Sequence, residues 1–334
     1  MIRFIAIGMA ALWLSGCSYG SGISALSFSA AQRPPAEKLP GRAYLLRGLI
    51  GDIYSLGMDE LAEKIEQRGV KASVYGVSAI AYLANRIIRD YRADPAGMTP
   101  IILVGHSTGG DAIISIAERL KAADIPVALA VGFDPTRIAS RVPSNVDLFI
   151  NLFQGTNIIG GGAVHPGADF SGRIINVDLR ERREIIHITL DKNDAIHDLI
   201  LRKIGTLAEH ARDVRNAAAA PAPDAHSSAK SRHKPLPPQA LPKEPAYVSP
   251  LVIRYVMPPK QTIELWDSAI NVKADANESV DQLAQRTGAP AWAISQINKL
   301  DAEQPLREGQ RLLIPRNRLG SPSEIPSANE GSRR

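Results

Sequence analysis

Two hydrophobic periods alternate along residues 42–213. Residues 43–46 (AYLL) and 70–75 (VKASVY) have the short apolar and β-branched character of strands. Between them Met58, Leu61, Ala62 and Ile65 recur at helical spacing before Gly69, which reads as the helix terminator. A third apolar run, Ile101 to Val104, leads into an amphipathic helix marked by Ala112, Ile113, Ile116, Ala117 and Leu120. Further strands are predicted at 126–132, 147–153 and 185–190, then a helix with Ile196, Leu199, Ile200, Ile204, Leu207 and Ala211 on one face. This alternation predicts an α/β fold with a doubly wound, mostly parallel sheet.

The pattern stops after about Arg215. Residues 214–250 are dominated by Ala, Pro, Lys and Ser, hold too little apolar surface to fold alone, and predict a proline-stiffened linker. A second, smaller unit is predicted at 268–316, and residues 317–334, with Gly320, Pro322 and Pro326, read as a disordered tail. The strand-like LVIRYVM within 251–267 has no place in this scheme. A chain of 334 residues with 45% hydrophobic content is long enough for two such unequal units. The net charge of +5 changes little, because much of the basic excess lies in low-complexity stretches such as Lys230–Lys234 and Arg333–Arg334, so no nucleic-acid partner is expected.

At the N-terminus Arg3 precedes an apolar run, Phe4 to Leu14, that is too short to span a bilayer and is followed by small residues. That layout predicts a signal peptide over 1–16. Its end, Leu14-Ser15-Gly16-Cys17, resembles the lipobox of bacterial lipoproteins. The resemblance implies that Cys17 is lipidated and attaches the mature chain to a membrane. Cys17 is the single cysteine, so an internal disulfide is excluded. Residues 17–41 would then form a flexible tether, and Ser18, by analogy with Gram-negative lipoproteins, favours an outer-membrane protein facing the periplasm.

The chemistry starts at Gly105-His106-Ser107-Thr108-Gly109, a G-x-S-x-G between an apolar strand and a helix. In a nucleophile elbow the glycines let the backbone turn sharply and lift the serine Oγ above the sheet, which makes Ser107 the expected nucleophile. Serine needs a base at neutral pH, and with this elbow an acid and then a histidine follow in the chain. Asp134, at the end of the apolar strand, is the expected acid, with Asp191 and Asp194 as substitutes. His197, shortly after the predicted strand 185–190 and at the start of a helix, is the expected base. His165, in a glycine-rich loop, is its rival. His106 should point away from the serine, while His187 falls within the predicted strand and His210 within a helix. An oxyanion hole needs two N–H groups, one from Thr108 and one from the loop Arg47-Gly48-Leu49-Ile50-Gly51.

With that loop and with Gly132-Phe133-Asp134-Pro135, residues 42–213 resemble the lipase and thioesterase branch of the α/β-hydrolase superfamily. The resemblance implies hydrolysis of an ester or thioester through an acyl-enzyme, with Leu49 as the second oxyanion residue. Arg47 stands where that family usually has histidine. The loop from Gln154 to Gly172, with Gly160-Gly161-Gly162, is a candidate lid or a plain connector; it lacks phosphate-motif spacing, and no Cys/His cluster has metal-ligand spacing, so no cofactor or metal is expected. A catalytically degenerate adaptor, and a peptidase or amidase using the same triad, remain open.

Residues 268–316 resemble LysM, a small βααβ module. The matching positions are Ser279, Val280, Leu283 and Ala284, then Ile294, Ile297 and Asn298, and the closing Leu306, Gly309, Gln310, Leu312, Ile314 and Pro315. The resemblance implies binding of peptidoglycan or another N-acetylglucosamine-containing glycan. Asn277 and Glu278 replace the family's usual Gly-Asp.

Overall fold

Seven strands form one parallel sheet in the computed structural model, which describes residues 37–49, 55–136, 141–157, 160–219, 246–301 and 305–318. The signal peptide, Cys17, most of the tether, residues 220–245 of the linker and the tail from 319 lie outside the described residues. Among the described residues no helix is long and apolar enough to cross a membrane.

The strands are β1 (Arg42–Leu46), β2 (Lys71–Tyr75), β3 (Ile101–His106), β4 (Leu129–Phe133), β5 (Leu148–Phe153), β6 (Arg173–Asp178) and β7 (Leu251–Val256), in the order β2-β1-β3-β4-β5-β6-β7. Helices α1 (Gly57–Gln67), α2 (Ile80–Ala93), α3 (Thr108–Lys121) and α4 (Asp194–Ala219) cover it. Successive strand side chains point to opposite faces, and here both faces are apolar. Ala43, Leu45, Ile102 and Val104 pack with Met58, Leu61 and Ile65 of α1 and Ile200 and Ile204 of α4. Their neighbours Tyr44, Leu46, Ile101 and Leu103 pack with Leu83 and Ile87 of α2 and Ile113, Ile116 and Leu120 of α3.

Two strands differ from expectation. Residues 185–190 form no strand; only Ile185 and Leu190 of that run are buried apolar positions, Ile186 and Ile188 face outward, and His187–Leu190 is a short helix. The strand beside β5 is instead β6, RIINVD, whose polar letters hide it. Its Asn176 is buried and paired, accepting from Asn151 Nδ2 at 2.9 Å and from Val164 N at 2.8 Å, so it costs little inside the sheet.

The unassigned stretch 251–256 is β7. It runs parallel to β6 in register from Arg173↔Leu251 to Asp178↔Val256, with Leu251, Ile253 and Tyr255 turned inward. The sheet is therefore completed after residues 214–250, and the expectation that every sheet strand precedes Arg215 is corrected: α4 runs on to Ala219, and residues 220–250 connect it to β7 of the same sheet. Downstream, β8 (Ser268–Lys273), α5 (Val280–Thr287), α6 (Ala291–Asn298) and β9 (Arg311–Arg316) follow in βααβ order, with β8 antiparallel to β9. Ser279 and Gln282 cap α5 reciprocally, and Leu283, Ile294, Leu312 and Ile314 form a small core.

This small unit is fastened to the large one. Tyr255, Trp266 and Trp292 pack as tilted rings, with Trp266 and Trp292 ring centroids 5.2 Å apart. Gln296 bonds both the N–H and the carbonyl of Val256, at 2.7 and 3.1 Å. Lys203 of α4 meets Asp267 at 3.0 Å with both side chains buried. Trp266, Ala269 and Ala293 belong to the same apolar cluster as Ile200 and Ile204.

Candidate active site

The strand order reverses at β1, so the crevice at the carboxyl ends of β1 and β3 is the place where open parallel sheets bind ligands. Ser107 sits there, directly after β3, with φ 55° and ψ −126°. An L-residue pays for that conformation, and the turn that imposes it is closed by glycines. A Cβ on Gly105 would lie 2.1 Å from the Gly109 carbonyl oxygen, and one on Gly109 would lie 2.3 Å from that of Leu46. G-x-S-x-G is therefore required sterically by the close approach of β3, α3 and β1.

The expected acid follows the next strand, β4. Ser107 N donates to Phe133 O at 2.8 Å, which sets Asp134 one residue from the elbow's own hydrogen bond. Asp134 is fully buried, and its Oδ2 accepts from Asn157 Nδ2 at 2.7 Å and from His187 Nδ1 at 2.8 Å. Asp111, in the first turn of α3, accepts from Thr136 N and Oγ1 at 3.0 and 2.7 Å and so pins the loop that follows the acid.

His187, placed in a strand by its sequence pattern, is thus the histidine that the structure brings to Asp134. With its Nδ1–H donated to the carboxylate, its Nε2 carries the lone pair. Its backbone is held to the elbow by His106, whose Nε2–H donates to His187 O at 2.9 Å. The two imidazoles lie 4.9 Å apart, centroid to centroid. Gln154 Nε2 donates to Ile185 O at 2.8 Å and fixes the approach to the short helix. Among the described residues no hydrogen bond joins Ser107 Oγ to His187; in unliganded sites such contacts are often long and tighten with substrate.

His197 is elsewhere, and its expected role is corrected. It is buried, donating through Nε2 to Asp191 O at 2.6 Å, with Nδ1 3.2 Å from Lys64 Nζ. Burial holds its pKa below the usual histidine value. His197 lies in the first turn of α4, and its side chain turns inward toward Lys64 of α1. Glu60, Asp194 and His197 converge closely enough to suggest a cation site, but Lys64 Nζ lies 2.7 Å from both carboxylates and already supplies the positive charge. Asp191 is buried as well, with Oδ2 accepting from Gly57 N at 3.1 Å; burial pushes its pKa up to about 6. Asp194 is exposed and paired to Lys64. His165 is exposed and borders a cavity with Asn157, Gly160–Gly162 and Arg254, without a bond to Asp134 among the described residues.

On the opposite side, Gly48 of the β1 loop lies so close that a Cβ there would be 3.1 Å from Ser107 Cβ. Its N–H is engaged by Ser55 Oγ at 3.1 Å. Among the described residues no partner takes the N–H of Leu49 or of Thr108, the two expected oxyanion donors.

Known proteins resemble this chain only distantly. A Xanthomonas campestris pv. campestris protein assigned as a hydrolase of the alpha/beta superfamily aligns at 17% identity over 39% of this chain and 77% of its own length, with a TM-score of 0.24. The NocB thioesterase domain from the nocardicin cluster aligns at 16% identity over 55% of this chain and 96% of its own, with a TM-score of 0.31. A metagenomic carboxyl esterase aligns at 14% identity over 50% of this chain and 59% of its own, with a TM-score of 0.26. No protein-family model and no curated protein matches the chain. The expected doubly wound, mostly parallel sheet agrees with the sheet found.

The Asp134–His187 pair has one distinguishing signal. That signal is the turn of orientation in the structure, not the sequence: Ile186, Ile188 and Leu190 alternate as in a strand, and only the exposure of Ile186 and Ile188 shows that they do not form one.

Proposed function

We propose that this chain is a serine hydrolase of an ester or thioester, with Ser107 as nucleophile, His187 as base and Asp134 as the carboxylate that orients it. The observation that carries the reading is the 2.8 Å bond between Asp134 and a histidine whose backbone is tied to the residue before the serine. His187 Nε2 takes the Ser107 proton as Oγ attacks the acyl carbon, and Asp134 stabilises the imidazolium so formed. The N–H groups of Leu49 and Thr108 stabilise the oxyanion. His187 then returns its proton to the leaving oxygen or sulfur, and water repeats the sequence to release the acid.

The surroundings favour an apolar acyl group. Leu49, Leu56, Ile186 and Ile188 are 77%, 51%, 46% and 42% exposed, and each adjoins Gly48, Ser55 or His187 in sequence. Four large apolar side chains exposed next in sequence to residues of the proposed site suit an apolar substrate. The deciding experiment compares fluorophosphonate labelling and p-nitrophenyl butyrate hydrolysis in Ser107→Ala, His187→Ala and His197→Ala. The first two should lose activity by at least about 10³-fold, as removal of a triad member does, and folded His197→Ala should keep most of it. The opposite ranking of the histidines would return the base to His197.

Two further parts of the proposal concern location. A lipid on Cys17 would hold the hydrolase at a membrane of the cell envelope; Cys17→Ser should move the protein from the membrane to the soluble fraction. Residues 268–316 are proposed to bind peptidoglycan, supported by their βααβ order and by a cavity lined by Leu300, Pro305, Arg307, Glu308, Gly309 and Gln310. Glu278 is buried and bound by Arg286 at 2.8 Å, so it braces the turn before α5. Co-sedimentation of the full chain with purified peptidoglycan tests this, and a soluble chain at all salt concentrations would end it.

A further inference from the structure

His106 is the variable residue of the elbow, and a histidine there needs only to fit. It does more: it is buried, and both ring nitrogens are engaged by groups that belong to the proposed machinery. Gly48 N–H donates to Ser55 Oγ at 3.1 Å. Ser55 Oγ lies 2.8 Å from His106 Nδ1, and His106 Nε2 lies 2.9 Å from His187 O. A carbonyl can only accept, so Nε2 carries the proton, Nδ1 accepts, and the Ser55 hydroxyl must donate to it. Every donor in the chain thus runs one way, from Gly48 through Ser55 and His106 to His187.

We propose that Ser55 and His106 are positioning residues that lock the oxyanion loop and the base His187 to one another across the nucleophile. The chain begins on the glycine whose added Cβ would meet Ser107 Cβ and ends on the backbone of the histidine bound to Asp134. Its middle member is joined covalently to Ser107. A buried histidine of purely structural role would find its partners on whichever elements surround it. This one joins two loops that lie on opposite sides of the reacting atoms. Burial brings the His106 pKa down to about 4, which keeps the ring neutral and the donor direction fixed near neutral pH. The inference rests on the serine-hydrolase reading.

The consequence is geometric. Without the chain, the Leu49 N–H and His187 Nε2 keep their chemistry and lose their mutual alignment, and misplacement of about 1 Å costs on the order of 100-fold in rate. The test measures kcat on p-nitrophenyl butyrate per active site, with active sites counted by stoichiometric fluorophosphonate labelling of Ser107. Ser55→Ala should lower kcat per labelled site on the order of 100-fold with KM little changed, and Ser55→Thr, which keeps the hydroxyl, should restore it. His106→Asn, which keeps an acceptor for Ser55 and loses the donor to His187, should fall comparably. The double variant should be no worse than either single one, because members of one chain are not additive. Loss of labelled sites at unchanged kcat per site would show a merely structural role and overturn the proposal. So would additive losses in the double variant. Absence of Ser107-dependent turnover in the unaltered protein would overturn this inference together with the hydrolase reading, whereas normal turnover with an indifferent Ser55→Ala overturns the inference alone.

Discussion

Replacing Asp134 with Asn separates two jobs that a triad carboxylate performs. In the usual case the amide presents an N–H to the histidine, forces the wrong tautomer and lowers the rate about 10⁴-fold. Here both donors, His187 Nδ1 and Asn157 Nδ2, converge on the same oxygen, Oδ2, while Oδ1 is buried against Gly160 without a hydrogen-bond partner among the described residues. The amide introduced by Asp134→Asn can therefore keep its carbonyl oxygen facing both donors, preserve the tautomer and turn its nitrogen to the Oδ1 position. What disappears is the negative charge opposite the imidazolium. Two unit charges about 4 Å apart at an effective dielectric near 20 attract by about 4 kcal/mol. At about 1.4 kcal/mol per decade, kcat/KM should fall about 10³-fold. The stranded amide should also lower stability by about 1–3 kcal/mol. Steady-state hydrolysis of p-nitrophenyl butyrate, with urea unfolding of the same samples, measures both. Activity within tenfold of the unaltered enzyme would show that the Asp134–His187 bond is not the working pair.

Truncation after Arg215 should abolish the native sheet, because it removes β7 and strips the cover from Ile200 and Ile204; full hydrolysis by that fragment would show that the large unit is self-sufficient. Asp267→Ala removes the buried carboxylate that faces Lys203, whose ammonium also bonds Asn317 at 3.1 Å, and should cost about 3 kcal/mol, in a single urea transition; two separate transitions would show that the small unit unfolds independently. Acid stability provides another test. His106, held at about 4 against 6.5 when exposed, loses stability as pH falls from 6.5 to 4, because the unfolded chain takes the proton first. Asp191, raised to about 6 against 3.8, gains stability over nearly the same window, because the folded chain binds its proton first. Each effect is about 3 kcal/mol and the two oppose. Asp191→Asn should therefore make stability fall more steeply between pH 6.5 and 4 than in the unaltered protein, and equal slopes would refute the assignment.

The large features of the fold were legible because burial on two faces leaves an unmistakable record. Ile101–Val104 could hardly be anything but a central strand, and the Met58, Leu61, Ile65 stripe could hardly face water. Legibility failed where polar groups were buried in pairs. β6 contains Arg173, Asn176 and Asp178, and it is the bonds of Asn176 to Asn151 and Val164, and of Asp178 to Arg180 and Arg254, that make these residues tolerable in a sheet. Apart from Arg180, two residues after Asp178, those partners are scattered along the chain from Asn151 to Arg254, beyond the reach of a local window. The same holds for β7: its alternation of inward and outward residues was visible, but the long, unfoldable stretch before it argued for a domain boundary. Loop closure costs only weakly more as a connection lengthens, so a long insertion between α4 and β7 is thermodynamically acceptable.

The site shows the same division between local and tertiary information. Ser107 follows from local backbone geometry, since the glycines at 105 and 109 are required by close contacts around one strand-turn-helix unit. The identity of its histidine does not. His187 and His197 both lie on helical segments after β6, but the sequence pattern sets His187 within a strand and His197 at the start of a helix, and so favours His197. What separates them is which partner each ring finds. His197 is turned to the backbone of Asp191 and to Lys64, an environment already satisfied without substrate. His187 is turned to a buried carboxylate whose same oxygen accepts from Asn157, and that bond engages only Nδ1 of its ring. A base needs a lone pair that the fold has not already used. By that criterion His187 qualifies and His197 does not, whatever their spacing from the serine.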